Sequence, residues 1–177
     1  MGLGTANDLR VLIALENGQA AEGARDVFKK MGAPVVKVAA TKGDVLEAMH
    51  QTVFNLVLVE DTFSDLGGLD FCRFIRMVSS PTSVAPLILA MKMPDRARVQ
   101  EARDAGINRI IIMPFTTDSI LKNVQDILDN PTPFIRVSGY SGPCRRKQNI
   151  LKKGLERRQQ QTGVLSVEAQ KKLFKGI

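Results

Sequence analysis

The sequence predicts a doubly wound α/β domain: five parallel strands in one sheet, helices on both faces, then an irregular basic extension. Three observations predict it. Short apolar runs alternate with helix-spaced segments five times between residues 8 and 130. The runs are near-continuous, as in strands covered on both faces, and do not alternate with polar residues. The charge balance then reverses after Pro131 and Pro133.

The elements follow in order. "LRVLIAL" (9–15) is a branched apolar run and the first strand. "AEGARDVFKKMG" (21–32) has helical spacing, with Ala24, Val27, Phe28 and Met31 on one face and Gly32 as the stop. "PVVKVAA" (34–40) is the second strand, and "GDVLEAMHQ" (43–51) a short helix with Asp44 near its start. "FNLVLVE" (54–60) is the most apolar strand, followed by the amphipathic "GLDFCRFIRMV" (68–78), with Leu69, Phe71, Cys72 and Ile75 inward. "APLILAM" (85–91), the polar helix "PDRARVQEARDAG" (94–106), "RIIIM" (109–113) and "TTDSILKNVQDILDN" (116–130) complete five β–α units. The last helix is capped near Thr117 or Asp118. Right-handed crossovers between such units build one parallel sheet.

Composition removes several classes of function. One histidine, His50, on a polar helix, rules out a His-rich metal site and argues against a Ser-His-Asp triad. Two distant cysteines, Cys72 and Cys144, have no metal-ligand spacing and suit a reduced cytoplasmic setting. The N-terminus lacks the pattern of a secretory signal. No apolar run approaches the ~20 residues of a transmembrane helix. "GLG" at 2–4 precedes a strand and is no dinucleotide fingerprint.

Sites in open α/β sheets lie beyond the carboxyl ends of the strands. Those ends carry Leu15-Glu16, Glu60-Asp61, Met91-Lys92 and Met113-Pro114. Glu16 and Glu60 are a pair of carboxylates at neighbouring strand ends, the one arrangement here suited to acid–base work, but nothing else converges on them. The plainest reading makes Glu16 and Glu60 solvated carboxylates and the two methionines core filler. Asp61 follows Glu60 and, by strand alternation, points away from it.

"NLVLVE" followed by "LGGLDFCRFIR", and then "DAGINRIIIMPF", resemble the CheY-like receiver domains of bacterial response regulators in order and spacing. The resemblance covers residues 8–130 and implies a flavodoxin-like sheet. In that family an acidic pair after the first strand holds Mg²⁺, and an aspartate after the third accepts phosphate from a histidine kinase. A Thr or Ser, a switch aromatic and a Lys before Pro-Phe complete the site. Laid on this pattern, the acidic pair falls on Leu15 and Glu16, and the acceptor on Glu60, eight residues before Gly68. The hydroxyl position is Met91, the switch position Ile110, and the lysine position Met113. The frame is kept and the chemistry replaced, which implies a pseudo-receiver that does not hold Mg²⁺ and has little or no aspartyl phosphorylation, Asp61 being the remaining candidate acceptor. Glutamate places its carboxylate a methylene too far for in-line attack. Met113 brings no charge to a phosphoryl group. The resemblance implies no enzyme and no cofactor. It implies a partner signalling protein on the face of the fourth and fifth helices, within a two-component phosphorelay, and is compatible with a homodimer.

Residues 1–130 hold 14 Lys+Arg against 16 Asp+Glu, and residues 131–177 hold 11 against 2, so a basic extension of net +9 follows a body of net −2. The extension is expected to be largely irregular, with a short terminal helix over 166–177 capped by Ser166. "SGYSGPCRRK" with "KGLERRQ" resembles the arginine-rich extensions of alphaproteobacterial CheY-like proteins of the Cle type, which bind cyclic di-GMP and act on motility. That resemblance implies Tyr140, Arg145, Arg146, Arg157 and Arg158 as ligand residues, since guanidiniums fork onto phosphates and stack on bases. Cys144 and Lys147 depart from its pattern, where an acidic residue and a third arginine are expected. Nonspecific contact with nucleic acid or another polyanion is the competing reading of the same charge.

Overall fold

The computed structural model describes residues 5–145 and 163–175. Five strands, β1 (Arg10–Ala14), β2 (Val35–Ala39), β3 (Leu56–Glu60), β4 (Leu87–Met91) and β5 (Arg109–Ile112), form one parallel sheet in the order β2-β1-β3-β4-β5. Five helices alternate with them: α1 (Gly18–Lys30), α2 (Lys42–Gln51), α3 (Gly68–Met77), α4 (Arg96–Asp104) and α5 (Thr117–Asp129). The order reverses between β1 and β3, the place where α/β sheets open a crevice.

Alternation along the strands divides the core in two. Val11, Ile13, Leu56, Leu58, Ile88, Ala90 and Ile111 pack under α1 and α5. Leu12, Val57, Val59, Leu87, Leu89 and Met91 face the opposite way, against residues of α2, α3 and α4. Every residue of β3 and β4 is buried, as expected for central parallel strands.

The helix starts follow local chemistry. Asn17 accepts the Ala20 N–H at 3.0 Å. Thr41 and Asp44 form a reciprocal capping box on α2, so Asp44 acts at the helix start where the sequence placed it. The cap of α5 is Thr116, one residue before the expected Thr117 or Asp118, because its hydroxyl reaches the Ser119 N–H at 3.2 Å. Helix α3 has no side-chain cap; it begins at Gly68, packed so closely on β3 that a Cβ would sit 2.1 Å from the Glu60 carbonyl.

One inward residue of α3 was not expected. Arg76 lies on the stripe of Leu69 and Cys72 and is 2% exposed. Its guanidinium donates to the carbonyls of Ser83 (2.8 Å), Ala85 (2.6 Å) and Gly106 (2.7 and 3.2 Å) and to Asn108 Oδ1 (3.1 Å). These bonds join α3, the segment leading into β4 and the α4–β5 turn. Burial lowers its pKa to about 10.

The extension departs most from expectation. Residues 134–143, read as irregular, form a hairpin of β6 (Phe134–Val137) and β7 (Tyr140–Pro143), turning at Gly139 with φ +79°. A third strand, β8 (Val164–Leu165), pairs with β6, and α6 (Val167–Lys175) follows, with Ser166 Oγ accepting the Ala169 N–H. The apolar period of 134–143 is too short to register as a strand, and the third strand that pairs with the hairpin is distant in sequence. What fixes it is burial against the body: Phe134, Cys144 and Phe174 are all 5% exposed or less. The Phe134 ring lies 5.1 Å from the Arg76 guanidinium. Gly142 meets Gly106 so closely that a Cβ on Gly142 would lie 2.5 Å from the Gly106 Cα.

Candidate functional site

The carboxyl end of the sheet gathers the residues singled out above. Leu15 is 1% exposed and packs in the α1/α5 cluster, with Met113 against the same cluster. Met91 is 1% exposed and belongs to the opposite cluster, which Ile110 also packs against. Leu15 and Met91 are therefore core, on two different sides of the sheet, while Met113 is half-buried.

Glu60 is the main correction to the sequence reading. It does not face water; it is 4% exposed. β3 is the central strand, and Glu60 is still paired within the sheet, opposite Ala90 of β4. Its Oε2 accepts the Glu16 N–H at 3.1 Å, joining β3 to the end of β1. The Glu16 side chain is exposed but engaged, with Oε1 accepting the Ser64 N–H at 2.8 Å. Ser64 has φ +63°, outside the comfortable region for a residue with a side chain, and this bond helps hold it there. Phe63 beside it is fully buried, 4.9 Å from the Phe71 ring. The β3–α3 loop is thus fastened at both of its first turns.

Asp61 turns toward α4, while Glu60 turns toward β1. Arg98 Nη2 donates to Asp61 Oδ1 at 2.6 Å. That bond holds the Arg98 pKa above its ordinary value. Sequence reading missed Arg98, because nothing in a polar helix marks which arginine reaches a strand end. It also missed Arg76, although the spacing of Leu69, Cys72 and Arg76 carried the signal.

These donors do not suit Mg²⁺. The ion needs several oxygen ligands in near-octahedral array. Leu15 offers none, and the carboxylates of Glu16 and Glu60 are each bound to a backbone N–H.

The described tail candidates, Tyr140 half-buried and Arg145 exposed, bond to backbone carbonyls. Tyr140 donates its hydroxyl to the Pro143 carbonyl at 2.8 Å. Arg145 donates to the carbonyls of Arg103 and Ile107. Tyr140 also lines a cleft with Arg73, Arg76 and Asp104, where the Asp104 carboxylate opposes an anion. Arg146, Arg157 and Arg158 lie outside the described residues.

Solved structures share this arrangement. Chemotaxis protein CheY4 of Vibrio cholerae matches with a TM-score of 0.63 and 19% identity, over 68% of this chain and 98% of its own. The fold is that of the CheY-like receivers. A putative response regulator from Chloroflexus aurantiacus matches at TM-score 0.62 and 20% identity, over 69% of this chain and 98% of its own. The DrrB receiver domain, in its BeF3-activated form, matches at 0.59 and 20%, over 69% and 98%. About a third of this chain falls outside each receiver-like match. No family model matches the sequence. No curated protein matches it either.

Proposed function

We propose that this chain is a receiver-type signalling adaptor, working by protein contact in a response-regulator setting without aspartyl phosphorylation. The observation that carries this reading is the packing at the strand ends. Leu15 and Met91, at the positions of a metal-binding acid and a hydroxyl, are 1% exposed inside two separate apolar clusters. A phosphoryl dianion at Glu60 would be buried without a metal, an ammonium or a hydroxyl to meet its charge. The carboxylates that remain serve the fold: Glu60 joins β3 to β1, and Glu16 fixes the next loop. This reading assigns no catalysis and no Mg²⁺ to the protein, and a cytoplasmic location. Among the described residues no helix is long and apolar enough to cross a membrane.

The partner surface on this reading is the edge made by α4, β5 and α5. Met93 is 89% exposed and Ile112 60% exposed along that edge, apolar side chains a partner could cover. Titrating isotope-labelled full-length protein with Mg²⁺ and then beryllofluoride, a phosphoryl analogue, tests the reading. Amide signals of Leu15, Glu60, Asp61 and Met91 should not move. Saturable shifts at these four residues count against it.

A second reading, favoured by the net +9 of residues 131–177, makes the extension a site for cyclic di-GMP or another polyanion. Titration of the dinucleotide into full-length protein and an Arg157→Gln/Arg158→Gln variant separates the two. Binding by the native chain alone supports this reading, and equal or absent binding removes it. Loss of affinity with added salt, without base preference, marks nonspecific nucleic-acid contact.

A further inference from the structure

Among the described residues lies a large cleft that neither reading uses. It lies between the first two turns of α1 and the β5–α5 junction and measures about 680 Å³. That falls within the size range of small-molecule sites. Its walls are mostly apolar, from Ala20, Val27, Met113, Phe115 and Ile120. Lys92, which follows β4, is its one charged lining residue. Lys92 has no carboxylate partner among the described residues.

The cleft also contains a glycine with no internal reason to be one. Gly23 sits inside α1, where glycine costs roughly 1 kcal/mol against alanine. Its φ is not positive, and a Cβ built on it meets nothing within 4 Å. Gly68 and Gly106 are glycine because neighbouring backbone leaves no room. Gly23 is exposed on α1 at the rim of the cleft, so a large side chain placed there would cover part of its opening.

We infer that this cleft binds a small amphipathic anion: an apolar chain or ring against the α1 and α5 walls, with a single carboxylate paired to Lys92. The volume suits a small molecule rather than a protein domain, and one unpaired ammonium at an apolar cleft complements one negative headgroup. The inference does not depend on whether Glu60 accepts phosphate.

The test uses decanoate as probe, titrated into full-length isotope-labelled protein and followed by amide shifts. Saturable shifts are expected at Gly23, Val27 and Ile120. Gly23→Leu, which covers part of the opening, should weaken binding at least about tenfold while the helix is kept or strengthened. Lys92→Gln, at an exposed position, should weaken it about threefold and leave the sites of the shifts unchanged. Absence of saturable shifts overturns the inference. So does native affinity in Gly23→Leu, which places the probe elsewhere, or native affinity in Lys92→Gln, which removes the anionic headgroup from the account.

Discussion

Arg98 Nη2 lies 2.6 Å from Asp61 Oδ1, fastening α4 to the residue that follows the central strand. The one carboxylate here that is neither core nor bound to backbone N–H is thereby paired with a helix. The two side chains are 20% and 40% exposed, so the pair sits in partial solvent. Such pairs contribute about 0.5–1 kcal/mol and weaken with salt. Asp61→Ala and Arg98→Ala should each lower urea stability by no more than about 1 kcal/mol. The double-mutant coupling energy should shrink as salt is added.

Arg76 is a different case. Its guanidinium is buried and makes five hydrogen bonds to three backbone carbonyls and Asn108, with no carboxylate opposite. Removing it orphans those acceptors and takes away the cation over Phe134. Arg76→Ala should cost about 3 kcal/mol or more in equilibrium unfolding. Arg76→Lys should recover only part, because an ammonium cannot fork between Gly106 on one side and Ser83 and Ala85 on the other. Phe134→Ala should cost about 3–5 kcal/mol although it lies outside the five β–α units. A chain ending at Asn130 should therefore melt below the full-length protein.

The two thiols provide a check on packing. Cys72 is fully buried, and desolvation pushes its pKa up to about 12. Cys144 is 4% exposed. A disulfide reagent added to the native protein at neutral pH should titrate neither thiol on the minutes scale and both in denaturant. Rapid native reaction at Cys144 would show that the hairpin leaves the body.

Acid should destabilise the fold through named carboxylates. Hydrogen bonds from Asn130 first, and then Arg109, lower the pKa of Asp126. Bonds from the Thr41 side chain and backbone lower that of Asp44. A carboxylate depressed in the folded state contributes stability at pH values above its unfolded pKa, and loses it as pH falls through the folded value. Stability should be flat near neutrality and fall below about pH 4. The Asp126→Asn variant should show a shallower acid limb in pH-dependent urea melts.

The five-unit sheet was legible in the sequence because its strands are short, apolar and evenly spaced, and most of its helices carry their own caps. Leu15, Met91 and Met113 were legible as residue types that supply no metal ligand, hydroxyl or charge, which is what the proposed loss of phosphoryl chemistry rests on. Glu60 was not. Whether a carboxylate at a strand end meets water or backbone depends on whether the neighbouring strand runs past it, which spacing does not reveal. The hairpin was hidden for a similar reason: Phe134 is held by Arg76, 58 positions earlier, an arginine the sequence reading did not place inward. Tyr140 and Arg145 read as ligand groups by type; the Tyr140 hydroxyl bonds the Pro143 carbonyl, and one Arg145 nitrogen bonds the carbonyls of Arg103 and Ile107.

The central claim is that a receiver frame is present here without its phosphoryl chemistry. Intact mass spectrometry of full-length protein after incubation with acetyl phosphate and Mg²⁺ tests it most directly. The account predicts an unchanged mass at every time point. A gain of one phosphate that disappears in Glu60→Gln or in Asp61→Asn would contradict it.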